Sequence, residues 1–135
     1  MKRTCLLLML ISLLMTSCQE KSKPERVAER FLMAYLDCRY ADAERIATPK
    51  VMEQMRWRIS NLTQAEVELI NENEPQVASE GMEDWGDSCI VTLVATDALL
   101  LDSVDLPGHI GERQFCMTLQ KEKGNNWKVT ALMEL

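Results

Sequence analysis

Apolar and polar positions change rhythm twice along this chain of 135 residues. From Cys5 to Met15 every residue is apolar except Ser12, a run shorter than the about 20 residues that span a bilayer. Further on, "PERVAERFLMAYLDC" repeats at helical spacing: Val27, Phe31, Ala34, Tyr35 and Cys38 share one stripe, with Arg26, Glu29, Arg30 and Asp37 largely off it. Pro24 suits the first turn of that helix. Around Arg39 the pattern breaks, and "YADAERIA" predicts a short second helix. Thr48-Pro49 then supplies an N-cap and a first residue for a third helix, with Met52, Met55, Ile59 and Leu62 at steps of three and four. Thr63 and Glu66 form a capping-box signature that opens "QAEVELINEN", a fourth helical segment ending near Asn73.

After Pro75 the period falls to two, which predicts strands. Two extended segments flank Trp85-Gly86-Asp87-Ser88 as a hairpin, with Gly81 at a bulge. In the second of them Cys89, Val91, Leu93 and Ala95 share the inner face, with Asp97 at its end; Ile90, Thr92, Val94 and Thr96 share the other. "RQFCMTLQKE" places Phe115, Met117 and Leu119 inward and Gln114, Cys116, Thr118 and Gln120 outward. Beyond the "KGNN" turn, Trp127, Val129, Ala131 and Met133 are expected inward. Helices first and an antiparallel meander after them predict an α+β fold, with the N-terminal helices packed on one face of a curved four-stranded antiparallel sheet.

The N-terminal run changes the picture of where the chain lives. Lys2 and Arg3, the apolar stretch, and then small residues before a cysteine have the anatomy of an export signal. Met15-Thr16-Ser17-Cys18 resembles the lipobox of bacterial lipoproteins. The resemblance implies thioether attachment of diacylglycerol to the Cys18 thiol and cleavage before it, because a thiolate is the nucleophile such chemistry needs. Several acyl chains would then anchor the protein, since one alone holds only marginally. Residues 1–17 are thus read as signal peptide, 18–24 as a lipidated tether and 25–135 as one domain. Gln19, where Gram-negative lipoproteins retained at the inner membrane tend to carry Asp, points to the outer membrane.

Removing the first 17 residues takes away Lys2 and Arg3, leaving 13 basic against 21 acidic residues, a net charge of −8. That balance argues against nucleic acid as a partner and against docking on anionic headgroups through a basic patch. Cys38, Cys89 and Cys116 remain as thiols; their spacings match no zinc pattern. The register predicts Cys89 inside and Cys116 outside, so Cys38 is the better partner for Cys89 if a bridge forms, and free thiols are expected.

The helix, short helix, Pro, helix rhythm of "VAERFLMAYLDCRYADAERIATPKVMEQM", with the final strand "WKVTALMEL", resembles the cystatin-like α+β cone superfamily of nuclear transport factor 2, and more narrowly the small lipoproteins with a lumazine-binding-like domain. The fourth helical segment, Gln64 to Asn73, departs from that pattern. The resemblance implies a curved sheet wrapped around the first helix with a pocket at its open end. Enzymes and binding modules share such cones, so function must be argued from the site.

Candidate chemistry is sparse. His109, the one histidine, sits in the turn-like "LPGHIGER" with no triad partner in view. No metal, cofactor or phosphate-cradling loop is expected. An isomerase- or cyclase-like enzyme of the superfamily would need an acid in an apolar cavity, for which Asp97 and Tyr35 are the candidates. Binding fits the residues better. "DALLLDSVDLPG" is a leucine-rich connection whose Leu100 and Leu101 either contact a partner or extend the strands. Trp57, between Arg56 and Arg58, lies off the apolar stripe and has hot-spot composition. Asp102-Ser103-Val104 is similar to the O-glycosylation motif of some Gram-negative envelope proteins, with Ser103 as acceptor. The expected function is therefore a non-catalytic, lipid-anchored binding or accessory domain for an envelope protein or a small apolar ligand. Alternatives are the Asp97 enzyme and a homodimer packed through Ile90, Val94 and Leu132.

Overall fold

The computed structural model describes residues 22–135; Cys18, the signal segment and most of the tether lie outside them. Four helices precede the sheet: α1 (Lys23–Leu36), α2 (Tyr40–Glu44), α3 (Pro49–Ser60) and α4 (Gln64–Glu72). The strands β1 (Gln76–Asp84), β2 (Ser88–Leu100), β3 (His109–Glu122) and β4 (Asn126–Glu134) form one antiparallel sheet in the order β1-β2-β3-β4. The fold is the α+β architecture that the pattern predicts.

Helix α1 starts where Ser22 and Glu25 close a capping box, each side chain satisfying a backbone N–H that has no partner within the helix. Its buried face, Val27, Ala28, Phe31, Leu32, Ala34, Tyr35 and Leu36, packs on the sheet's inner residues Cys89, Val91, Leu93, Ala95, Phe115, Met117 and Leu119. Val51, Met52 and Met55 of α3 complete the same core. At about 25 cal/mol per Å² of apolar surface removed from water, these contacts dominate the stability of the domain. α4 also carries its expected capping box, Thr63 with Glu66. Thr48 has the extended backbone of an N-cap, but its side chain caps nothing; its N–H instead donates to the Val129 carbonyl at 3.0 Å.

Three bulges shape the sheet, and two of them overturn the simple alternation. Glu80 is the extra residue beside Gly81 in β1, as expected there. In β2, Thr96 and Asp97 together oppose Glu112, and Asp97 takes φ +52°. Such a bulge advances the side-chain phase by one residue. Asp97 is therefore exposed and off the inner face, while Ala98 and Leu100 return to the core. In β4 the extra residue is Thr130. Leu132 consequently points inward and is buried, whereas Ala131 is exposed and Met133 is 58% exposed. The expected inward Ala131 and Met133 are thus corrected, and Leu132 is unavailable to an outer-face dimer.

His109 begins β3 instead of sitting in a turn. Cys38, Cys89 and Cys116 are free thiols. The outer edge of β4 is covered by the segment between α2 and α3, where Ala47 bridges Val129 in parallel and Val129 N–H donates to Ile46 carbonyl at 2.8 Å. Gln54 Nε2 adds a bond to the Leu132 carbonyl at 3.2 Å. Among the described residues no helix is long and apolar enough to cross a membrane.

Candidate functional site

A recess lies between α3, the C-terminal half of β4 and the loop 101–108. A groove of about 620 Å³ there is lined by Tyr35, Glu53, Gln54, Trp57, Leu101, Leu132, Met133 and Glu134. A smaller hollow of about 170 Å³ continues behind it, sharing Trp57 and Leu101 and reaching Ser103, Glu66 and Pro107. Two of the expected contact residues, Trp57 and Leu101, therefore meet at one place. Trp57 is 53% exposed because it leaves α3 on the side away from Met52 and Met55. Leu100 is not a contact residue: the β2 bulge turns it into the core at 3% exposure. Ser103 is half-buried at the hollow, its hydroxyl accepting from the Asp105 N–H at 3.2 Å.

The loop is fastened at both ends. Glu66 accepts from the Thr63 N–H and hydroxyl, each at 2.9 Å, and from the Gly108 N–H at 2.8 Å. The backbone bond from Thr63 is the largest influence holding its carboxyl below the usual glutamate range, with Gly108 adding to it against the opposing effect of burial. A Cβ at Gly108 would come within 2.5 Å of Glu66 Oε2 and 2.8 Å of Leu101 Cδ2, so glycine lets the backbone approach this closely. At the other end Arg113 bonds Asp102 at 2.7 Å and Glu134 at 3.1 Å, tying the loop to β4. His109 Nδ1 lies 3.7 Å from Asp102, exposed on both sides.

Beneath the groove lies a residue that the reading of the chain missed. Arg58 is 2% exposed; its guanidinium stands 5.2 Å from the centre of the Tyr35 ring and donates from Nη2 to the Leu99 carbonyl at 3.0 Å. Its Nε has no partner. The signal was present: Val51, Met55, Arg58 and Leu62 follow helical spacing and share a face. Burial raises the Tyr35 phenol and the Cys38 thiol above their ordinary values, and the Arg58 charge partly offsets each. Tyr35 is thus a neutral phenol at neutral pH at the floor of the groove. Asp97, the proposed acid, is absent from the lining. Among the described residues no cluster of three or more potential metal ligands forms.

No protein-family model matches the chain, and no curated protein matches it significantly. Among solved structures it is similar to an Ntf2-like protein involved in plasmid conjugation, at 15% identity and a TM-score of 0.41, over 80% of this chain and 46% of that one. It is also similar to the intermembrane space region of the chloroplast protein ARC6, at 9% identity and a TM-score of 0.43, over 85% of this chain and 98% of that one. The chain therefore spans less than half the length of the conjugation protein. Neither likeness speaks to activity or partner.

Proposed function

We propose that the protein is an outer-membrane lipoprotein, held through acylated Cys18, whose cone-mouth groove binds a small apolar ligand without transforming it. The observation that carries the binding reading is the meeting of an exposed Trp57 with Leu101, Leu132 and Met133 around about 620 Å³. That volume falls in the range of about 300–1,000 Å³ typical of small-molecule sites. The few polar groups on the lining, the Tyr35 phenol, Gln54, Glu53 and Glu134, would orient a ligand whose body sits on the apolar wall. The anchor rests on the Met15-Thr16-Ser17-Cys18 motif.

Nile red, a neutral apolar dye, is a direct probe. It is expected to bind with enhanced fluorescence, and Trp57→Ala with Leu101→Ser should weaken binding at least tenfold, as loss of a hot-spot aromatic does. Undiminished binding by that double variant would remove the groove from the proposal. Mass spectrometry of protein from its native envelope is expected to show an N-terminal Cys18 carrying diacylglycerol; an unmodified Cys18 would remove the anchor.

A further inference from the structure

The net charge of the chain conceals a division that the fold makes spatial. Residues 22–62, the N-terminal cap and helices α1 to α3, carry eight Lys and Arg against six Asp and Glu, a net of +2. Residues 63–135, α4 and the sheet with its loops, carry four against fourteen, a net of −10. Helices α1 to α3 therefore carry a small positive excess, to which the buried Arg58 contributes one charge, on a strongly negative molecule. The overall balance of −8 does not by itself exclude a local basic stripe, because the negative excess lies on α4 and the sheet.

The positive charge is also gathered. On α1, Lys23, Arg26 and Arg30 are exposed at spacings of three and four, opposite the buried face of Val27, Phe31 and Ala34. Arg30 then joins Arg39 and Arg45, with Asp42 among them, around a depression of about 340 Å³ also lined by Ala34 and Ile46. Arg39 is held by Asp37 at 3.8 Å and Asp42 at 3.4 Å. Among the described residues neither Arg30 nor Arg45 makes an ion pair. Three guanidinium groups thus share one hollow with a single carboxylate, Asp42, which pairs with Arg39. The stripe starts at Lys23, next to residue 22, where the tether enters α1.

We propose that this face, Lys23, Arg26, Arg30, Arg39 and Arg45, docks on the phosphate headgroups of an anionic bilayer, so that the domain lies with α1 and α2 on the lipid and its acidic sheet turned away. The occupant is a lipid surface because the stripe lies where a short tether would already hold it within reach; this clause rests on the anchor at Cys18, whereas the charge geometry does not. Guanidinium groups suit the role, since their fork of donors matches phosphate oxygens. A basic residue near an anionic surface contributes about fivefold in partitioning, on the order of 1 kcal/mol each.

Residues 27–132 close the core by themselves, so a chain beginning at Gln19 retains what the fold uses and can be tested without its acyl chains. Flotation with vesicles of phosphatidylcholine alone and of phosphatidylcholine with phosphatidylglycerol is the assay. Binding is expected only to the anionic vesicles, to weaken with added salt, and to fall about 25-fold in Arg30→Gln with Arg45→Gln. Lys121→Gln with Lys128→Gln, on the sheet, should leave it unchanged. Equal binding to both vesicles, equal loss in both pairs of variants, or no flotation would each overturn the proposal. So would saturable binding of inorganic phosphate that Arg30→Gln with Arg45→Gln abolishes without any flotation, or sedimentation showing that those arginines instead hold a second copy's acidic sheet. None of these results touches the acylation of Cys18, which the mass of the native N-terminus decides separately.

Discussion

Replacing Arg58 tests whether a buried cation ties α3 to the end of β2. Truncation to alanine removes a charge-assisted bond to the Leu99 carbonyl and leaves that carbonyl without its donor, a cost of about 1–3 kcal/mol. It also removes the contact with the Tyr35 ring, worth up to about 2 kcal/mol when desolvated, and the packing of the aliphatic stem. Against these stands the relief of an incompletely paired buried charge, whose desolvation costs several kcal/mol; the lone Nε marks that this cost is not fully met. The balance is a loss of about 3 kcal/mol for Arg58→Ala. Arg58→Met fills the volume and removes the charge, so the carbonyl's lost donor and the ring contact stand against the same relief of desolvation, a net loss of about 1–2 kcal/mol. Urea unfolding followed by far-ultraviolet circular dichroism reads the difference: with a slope of about 1–3 kcal/mol per molar, alanine should lower the midpoint by about 1–3 M and methionine by about half as much. Tyr35→Phe, which keeps the ring, should leave the ring's coupling to Arg58 intact in a double-mutant cycle, whereas Tyr35→Leu should abolish it. A methionine variant as stable as the native protein would show that desolvation outweighs the bonds and would refute this account.

Two further outcomes follow from the same geometry. Glu66 has its carboxyl lowered in the folded state, so the stability it contributes is present above the ordinary glutamate value of about 4.3 and is lost as pH falls through the lower folded value. Amide exchange at Gly108 is expected to accelerate in that acid range, and Glu66→Gln should flatten the dependence; the same acceleration in the variant would place the titration elsewhere. Cys89 is buried and its thiol is pushed up to about 11, chiefly by burial. Iodoacetamide at neutral pH should therefore modify the partly exposed Cys116 first and reach Cys89 only on unfolding; early modification of Cys89 would contradict the packing.

The helical half was legible because its signals are local. The Thr63 and Glu66 pair that caps α4 acts over three residues, and the Val27, Phe31, Tyr35 stripe needs only the helical repeat. β2 and β4 were legible as far as their bulges. Asp97 was misplaced because nothing in "VATDALL" announces that a residue will adopt φ +52°, and one such residue reverses every later side chain. Thr130 does the same to Leu132 and Met133. Arg58 was missed for a different reason: its charge outweighed its position in the reading, although the helical spacing put it on the buried stripe. Trp57 and Leu101 were found by composition, but their meeting depends on where the β2 bulge sends the loop.

The strip of chain around Ala47 that closes the last strand has a consequence for behaviour at high concentration. Growth of an ordered stack requires each molecule to accept a neighbour on both flanks. Here one flank is already occupied by the molecule's own backbone, and the other, β1, is kinked at Glu80 and studded with carboxylates. A ladder growing through both flanks is therefore interrupted at Val129 on one side and opposed by charge on the other.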